Sequence, residues 1–104
     1  MKIDEAMRKQ EIAIRNVLHL LKKQGKKIGD LEISIGAVKG YLSRGKYGAK
    51  TRISFPYMLM IADYVETPLQ DLVSEDFAKE LELEEIQRQI EELKYLKEKL
   101  LREE

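Results

Sequence analysis

The last thirty residues of the chain, 75–104, contain neither glycine nor proline and consist mostly of strong helix formers. Apolar residues recur there at steps of three and four, which is the spacing of a heptad seam about two and a half repeats long. Lys97 occupies the one seam position that is not apolar. The apolar seam residues are Leu83, Ile86, Ile90, Leu93 and Leu100, and Leu96 and Leu101 widen the stripe.

A helix of this length extends for about 45 Å and cannot bury such a stripe by itself. It must therefore dock either on its own domain or on another copy of the chain. Because the helix projects beyond a domain formed by residues 1–74, we predict a homodimer that pairs through Leu83, Ile86, Ile90, Leu93, Leu96 and Leu100. The alternative is a helix that folds back on its own core. Pairs such as Glu84 with Arg88 are expected to support the helix locally.

The formal net charge is zero, but the two halves of the sequence differ in sign. Residues 1–74 carry 13 Lys and Arg against 8 Asp and Glu, whereas residues 75–104 carry 6 against 11. Residues 33–53 contain five cations and no acidic residue. A local cationic stretch of this kind is typical of a surface that faces phosphate groups.

The length of 104 residues suits one compact core. The chain has no cysteine, so disulfides and thiolate metal sites are excluded and a reducing compartment is expected. No segment resembles a signal peptide or a membrane span, and we expect a cytoplasmic protein with no membrane contact. His19 is the only histidine and has no ligand cluster near it, and neither a metal site nor a cofactor is expected. No nucleophile with a nearby base and no phosphate-cradling loop is found, so the chain is not expected to be an enzyme.

The remaining sequence predicts five helices before the terminal one, and no convincing strand. The first spans residues 4–24 and ends among cations at Gly25, and the second and third span residues 28–35 and 38–44. Ser54 and Pro56 begin a fourth helix that runs to Val65, with Met58, Leu59, Ile61 and Ala62 available for the core. Thr67 as N-cap and Pro68 start a short fifth helix, and Ser74 starts the last.

The stretch "DLEISIGAVKGYLSRGKYG", residues 30–48, meets the geometric demands of a helix-turn-helix. Gly36 suits the tight turn, whose backbone is often left-handed. Leu31, Ile35 and Leu42 can lock both helices to the core. The outward face of the second helix carries residues that are small or polar enough to enter a major groove about 12 Å wide.

This stretch resembles the Cro and phage-repressor type of helix-turn-helix, also called xenobiotic-response-element-like regulators. The segment "FPYMLMIADYVETPLQDLV" is similar to the fourth and fifth helices of that family, and the resemblance spans residues 14–74. It implies an all-α, five-helix, lambda-repressor-like domain in residues 1–74, followed by the C-terminal amphipathic helix in residues 75–104. The family usually has a small residue where this chain has Glu32, so we expect that carboxylate to escape sideways or to find a cation.

Given the motif, we expect base contacts from Val38, Lys39, Gly40 and Arg44. Arg44 is able to bind guanine through two hydrogen bonds. For Lys39 and Arg44 the alternative is that they are ordinary surface cations. Gly40 would then be there only because the family commonly has glycine at the start of this helix, and Val38 would pack against Leu42. The expected contacts to the DNA backbone are Tyr41, Lys46, Tyr47, Lys50, Thr51 and Arg52, and the alternative for this loop is simple solvation.

Two functional hypotheses follow from these patterns. The first is a sequence-specific, repressor-like transcription regulator from a phage or another mobile element, which binds double-stranded DNA as a homodimer on a pseudo-palindromic operator. The second is a protein-interaction module, such as an antitoxin or an inhibitor, that uses the same fold for a protein partner.

Overall fold

A computed structural model describes residues 1–38, 40–42 and 52–103 of the protein. Within these residues the chain forms five helices and no strand, which confirms the all-α prediction with a long C-terminal helix. The helices are α1 (Ile3–Gln24), α2 (Ile28–Ser34), α3 (Phe55–Tyr64), α4 (Leu69–Leu72) and α5 (Glu75–Glu103).

The end of α1 follows from glycine chemistry. Gly25 adopts a left-handed conformation with φ of 69°, and its N–H donates to the carbonyl of Lys22 at 3.2 Å. The N–H of Lys26 donates back to the carbonyl of Leu21 at 2.8 Å, so the last turn is closed by two backbone hydrogen bonds. Lys22 and Lys23 lie in this last turn, where cations complement the helix dipole.

Serine side chains begin two of the other helices, as predicted. The Ser54 hydroxyl accepts a hydrogen bond from the N–H of Tyr57 at 3.4 Å, and the Ser74 hydroxyl accepts one from Phe77 at 3.2 Å. Each hydroxyl satisfies a backbone donor that has no partner within its helix.

The predicted cap of α4 is wrong by one residue. The Thr67 hydroxyl donates to the carbonyl of Val65 at 3.1 Å, and it therefore completes the end of α3 instead of starting α4. Pro68 is the N-cap residue, and the helix begins at Leu69. The fixed φ of proline suits this extended position as well as the first helical one.

The core lies where α1, α2, α3, α4 and the start of α5 meet. α1 packs against α4 and α5, and α4 also packs against α3 and α5. The apolar side chains with less than 2% exposure that fill the core are Ala13, Val17, Leu31, Leu42, Ile61, Val65 and Leu72. Leu59, which we expected in the core, is 47% exposed because it lies two positions before the buried Ile61, on nearly the opposite side of α3.

One polar side chain, Asn16, is buried among these apolar residues. Its Nδ2 donates to the carbonyl of Leu72 at 2.9 Å, at the last residue of α4. The carbonyl of Ser74 lies 3.5 Å from the same nitrogen. Asn16 therefore ties the middle of α1 to the junction between α4 and α5.

The third predicted helix, residues 38–44, begins later than expected. Val38 is not helical, Gly40 is in a turn with φ of 92°, and Tyr41 and Leu42 are helical. A positive φ is incompatible with the interior of a right-handed helix, so the chain cannot enter the helix before Gly40. Residues 43 and 44 lie outside the described residues.

Candidate functional site

The candidate site is built around the turn that follows α2. Gly36 has φ of 76°, a conformation that strains residues with a Cβ atom. The N–H of Gly36 donates to the carbonyl of Ile33 at 3.0 Å, and that of Ala37 donates to the carbonyl of Glu32 at 2.9 Å. These hydrogen bonds terminate α2 and redirect the chain, as the sequence predicted for Gly36.

Buried apolar residues hold both sides of this turn against the core. Leu31 and Ile35 precede Gly36 and are 0% and 4% exposed, and Leu42 follows it and is 1% exposed. The expected apolar anchors are therefore all in place. The described residues of this turn are therefore anchored to the core on both sides.

Glu32 does not escape sideways, which was one of the two outcomes that we expected for it. It is 1% exposed, and its Oε2 accepts a hydrogen bond of 2.7 Å from the backbone N–H of Leu42. Backbone N–H groups near the start of a helix have no partner within that helix and attract negative charge. The carboxylate thus joins α2 directly to the helical residues Tyr41 and Leu42.

The four predicted base-contact residues fall into two groups. Val38 is 70% exposed, so most of its side chain is open to a partner, and Leu42 is buried in the core. Gly40 is half-buried, and its φ of 92° is a conformation that glycine adopts without strain, which explains why glycine occupies this position. Lys39 and Arg44 lie outside the described residues.

Of the predicted backbone contacts, the structure describes two. Tyr41 is half-buried, and its ring meets the ring of Tyr57 edge to face with centroids 5.2 Å apart. Arg52 is exposed, and the next residue, Ile53, donates its N–H to the side-chain carbonyl of Gln10 at 2.9 Å. This hydrogen bond attaches the chain to α1 beside Arg52. The other predicted contacts, Lys46, Tyr47, Lys50 and Thr51, lie outside the described residues.

The first part of α5 is attached to the domain by apolar packing and ion pairs. Leu81 is 6% exposed, and Phe77 packs against the core. Lys23 lies 2.7 Å from Glu84, and Lys22 lies 3.3 Å from Glu85. The sequence alone gave no sign of these two pairs, because their partners are more than sixty residues apart.

Arg88 pairs with Glu85 at 2.7 Å and with Glu92 at 3.3 Å. The expected pair of Arg88 with Glu84 is therefore wrong, because Glu84 faces Lys23 on α1. Hydrogen bonds from Arg88 and, to a smaller extent, from Lys22 lower the pKa of Glu85 from 4.5 to about 2. The same contact with Glu85 raises the pKa of Arg88.

Beyond this attachment α5 is uncovered. Every described residue from 86 to 103 is exposed, so the alternative in which this part of the helix folds back on the core is wrong. The seven residues of the apolar stripe remain 43% to 66% exposed: Leu83, Ile86, Ile90, Leu93, Leu96, Leu100 and Leu101. A contiguous apolar stripe of this kind is typical of an interaction surface.

Within the described ranges, no group of three or more His, Asp or Glu side chains is arranged to hold a metal ion. The groove beside His19, between α1 and α5, is lined by Lys22, Lys23 and their paired glutamates. Across the described part of the chain, no helix combines the length and the apolar character that crossing a membrane requires.

Compared with known proteins, the chain matches no family model, no curated protein sequence and no solved structure.

Proposed function

We propose that the protein is a sequence-specific, repressor-like DNA-binding transcription regulator that acts in the cytoplasm as a homodimer on a pseudo-palindromic operator. The observation that carries the proposal is the anchoring of the segment after Gly36. Leu42 and Glu32 fix this segment from the inside, and Val38 points outward with 70% of its surface free. A rigidly held, outward-facing segment is what base readout in the major groove requires.

Charge supports the same proposal. Arg52 is exposed at the end of the acid-free stretch 33–53, whose five cations have no acidic neighbour in sequence. The acidic residues of the chain are concentrated instead in α5, away from this stretch in the sequence. A duplex carries about one negative charge per 1.7 Å of its axis, so a surface of this sign is attracted to it.

The uncovered stripe on α5 supports the homodimer. Phage-repressor-like readers bind two half-sites with two copies of one domain, and a dimer places the recognition elements about one helical turn, ~34 Å, apart. The stripe begins at Leu83, in the last turn of α5 that is attached to the domain, and continues along the uncovered part of the helix.

The proposal is tested by an unbiased selection of DNA duplexes with the purified full chain. Affinity for the selected duplex is then compared with affinity for random duplex at physiological salt. We expect the selected duplex to bind at least about a thousandfold more tightly. Equal affinity for both duplexes would end the proposal.

Two variants in the cationic stretch separate reading of bases from binding of phosphates. Arg44→Ala is expected to erase the preference between duplexes, and Lys50→Ala to weaken binding to all duplexes alike. If four to six cations contact phosphates, the logarithm of the affinity falls with the logarithm of the salt concentration, with a slope of about 0.9 per phosphate. A Lys99→Ala variant on α5 is the matched control. It is expected to leave unchanged both the preference between duplexes and the affinity for duplexes in general.

The second candidate is a protein-interaction module, and the same exposed stripe on α5 favours it. In that case the purified chain co-elutes with a partner protein and leaves duplexes of any sequence unbound. Binding of a selected duplex by the chain alone contradicts this candidate.

A further inference from the structure

α5 has two faces with different surroundings. Leu81, Glu84 and Glu85 face the domain, where they are buried or paired with lysines of α1. An α-helix turns by about 100° per residue, so the seam that starts at Leu83 and Ile86 lies on roughly the opposite side of α5. A second helix is therefore able to pack along the whole seam without meeting the domain to which α5 is attached.

The seam residues occupy the core positions of heptads with a definite pattern. The a positions are Leu83, Ile90 and Lys97, and the d positions are Ile86, Leu93 and Leu100. In the second repeat, β-branched Ile90 at a precedes Leu93 at d, a combination that favours two parallel strands, whereas Leu83 at a with Ile86 at d in the first repeat favours more than two. A single lysine at an a position is known to specify oligomer state and register at some cost in stability.

The residues that flank the seam favour the parallel arrangement. In a parallel pair each g residue meets the e residue five positions later in the partner. The resulting contacts are Glu82 with Gln87, Gln89 with Lys94, and Leu96 with Leu101. None of these three flanking contacts joins like charges, and the last joins two leucines that are 51% and 61% exposed in the single chain. The one like-charge contact of the parallel pair is Lys97 against Lys97 at the a position, and long lysine side chains are able to carry their charge out of such a layer to water.

The antiparallel arrangement is less favourable. The register that brings all six seam positions into contact places Ile90 of one chain against Leu93 of the other. In that register g residues meet g residues, so Glu82 lies beside Glu103, and e residues meet e residues, so Leu101 lies beside Glu80. A like-charge contact and an apolar residue against a carboxylate both disfavour this pairing.

We propose that the exposed seam of α5 is covered by a second copy of this chain, which pairs in parallel and in register from Leu83 to Leu100. This inference rests on the homodimer of the proposed function and adds its orientation. Both domains then emerge at the same end of the coiled coil, on either side of its two-fold axis. This arrangement allows two identical domains to reach neighbouring half-sites on one face of DNA.

The chain has no cysteine, which makes disulfide trapping a direct test. Ile86→Cys and Leu100→Cys are made separately in the full chain, and each is equilibrated in a glutathione redox buffer. In the parallel pair each cysteine faces its own copy at a distance a disulfide spans. Because groups held in contact have effective concentrations near millimolar, we expect self-linked dimer to exceed that of a Glu91→Cys control by at least about tenfold.

A mixture of Leu83→Cys and a size-tagged Leu100→Cys reports the opposite orientation. A parallel pair gives only self-linked dimers of each variant, whereas the antiparallel register links Leu83→Cys to Leu100→Cys. Predominance of the mixed dimer overturns the orientation, and no linkage above the Glu91→Cys control overturns the pairing. Sedimentation of the unlinked chain must also give a dimer mass, since a trimer or tetramer contradicts two strands.

These measurements contain no DNA, so their failure is separate from a failure of DNA binding. A chain that links in parallel but prefers no duplex keeps this inference and loses the proposed regulator. A chain that selects a duplex but links only in the antiparallel register keeps the regulator and loses this inference. The substituted positions are exposed in the single chain, so the domain is expected to fold in each variant.

Discussion

The carboxylate of Glu32 accepts a hydrogen bond of 2.7 Å from the backbone N–H of Leu42, and both residues are 1% exposed. This contact joins α2 to the helical residues after the turn, across ten positions of sequence. Glu32 is held in place by α2, and Leu42 is held in place by its packing in the core. The position of the candidate recognition segment therefore depends on a residue that lies inside the domain.

Replacing Glu32 with alanine is expected to lower the free energy of unfolding by about 1–3 kcal/mol, because a buried N–H loses its acceptor. Glu32→Gln retains a carbonyl oxygen and is expected to lose less. Asp30→Ala, an exposed acid on the same helix, is the control. Urea denaturation measures all three variants, and an equal loss for Glu32→Ala and Asp30→Ala would show that the contact with Leu42 has no structural role.

The turn at Gly36 gives a second prediction with a matched control on α2. Gly36 has φ of 76° and no atom within 4 Å of an added Cβ, so an alanine there is strained through its backbone alone. We expect Gly36→Ala to cost about 1–2 kcal/mol of stability. Gly29→Ala is equally free of contacts but lies in the helix with an ordinary φ, and it is expected to gain about 0.4–1 kcal/mol.

Chemical denaturation of the two alanine variants decides between backbone strain and a general effect of added side chains. Opposite signs support the left-handed turn at Gly36. A loss of similar size at both positions would mean that alanine is unfavourable throughout α2 for another reason.

The features that follow from local chemistry were predictable from the sequence. Gly25 ends α1 and Ser54 and Ser74 begin later helices, because each effect involves groups within a few residues of one another. The predicted role of Thr67 is wrong because its hydroxyl is able to bond either to the backbone of the helix that follows or to the carbonyl of Val65 before it, and it bonds to Val65. Local sequence does not decide between such alternatives.

Contacts between distant residues were not predictable in this way. The role of Glu32 was missed because its partner Leu42 belongs to another element, although a carboxylate among apolar residues signalled an unusual position. The ion pairs of α1 with α5 were missed for the same reason. The exposure of Val38 and of the α5 seam was predicted, whereas Lys39 and Arg44 remain predictions, since both lie outside the described residues.

Glu85 predicts a dependence of stability on pH. Its pKa in the folded protein is about 2, below the usual 4.5, so its ionised form is favoured by folding. This contribution is complete above pH 4.5 and disappears as the pH falls from 4.5 towards 2. Glu85→Gln is expected to flatten the loss of stability over this range, relative to a Glu91→Gln control on the same helix.

The two cations that contact Glu85 contribute unequally, and this is testable by carboxyl NMR titration. Arg88→Ala is expected to raise the pKa of Glu85 from about 2 by the larger amount, because the Arg88 hydrogen bond is the largest cause of the shift. Lys22→Ala is expected to return it only in part. A larger effect from Lys22 would indicate that the contact between α1 and α5 is tighter than the pair within α5.

Lys97 gives the last prediction, because a charged residue at an a position weakens a coiled coil while restricting its geometry. Lys97→Ile is expected to tighten the dimer by roughly 2 kcal/mol or more, since an isoleucine buried from each chain adds about 1.5–3 kcal/mol. Lys99→Ile places the same side chain at an outward c position and is expected to leave the dissociation constant unchanged. Sedimentation equilibrium measures both constants.

The register of the pair gives an independent test of the same substitution. In the Lys97→Ile variant, slipped registers no longer place a lysine against an apolar layer. Disulfide trapping at Leu100→Cys should therefore decrease while total association rises. Equal tightening by Lys97→Ile and Lys99→Ile would place the interface on a different face of α5.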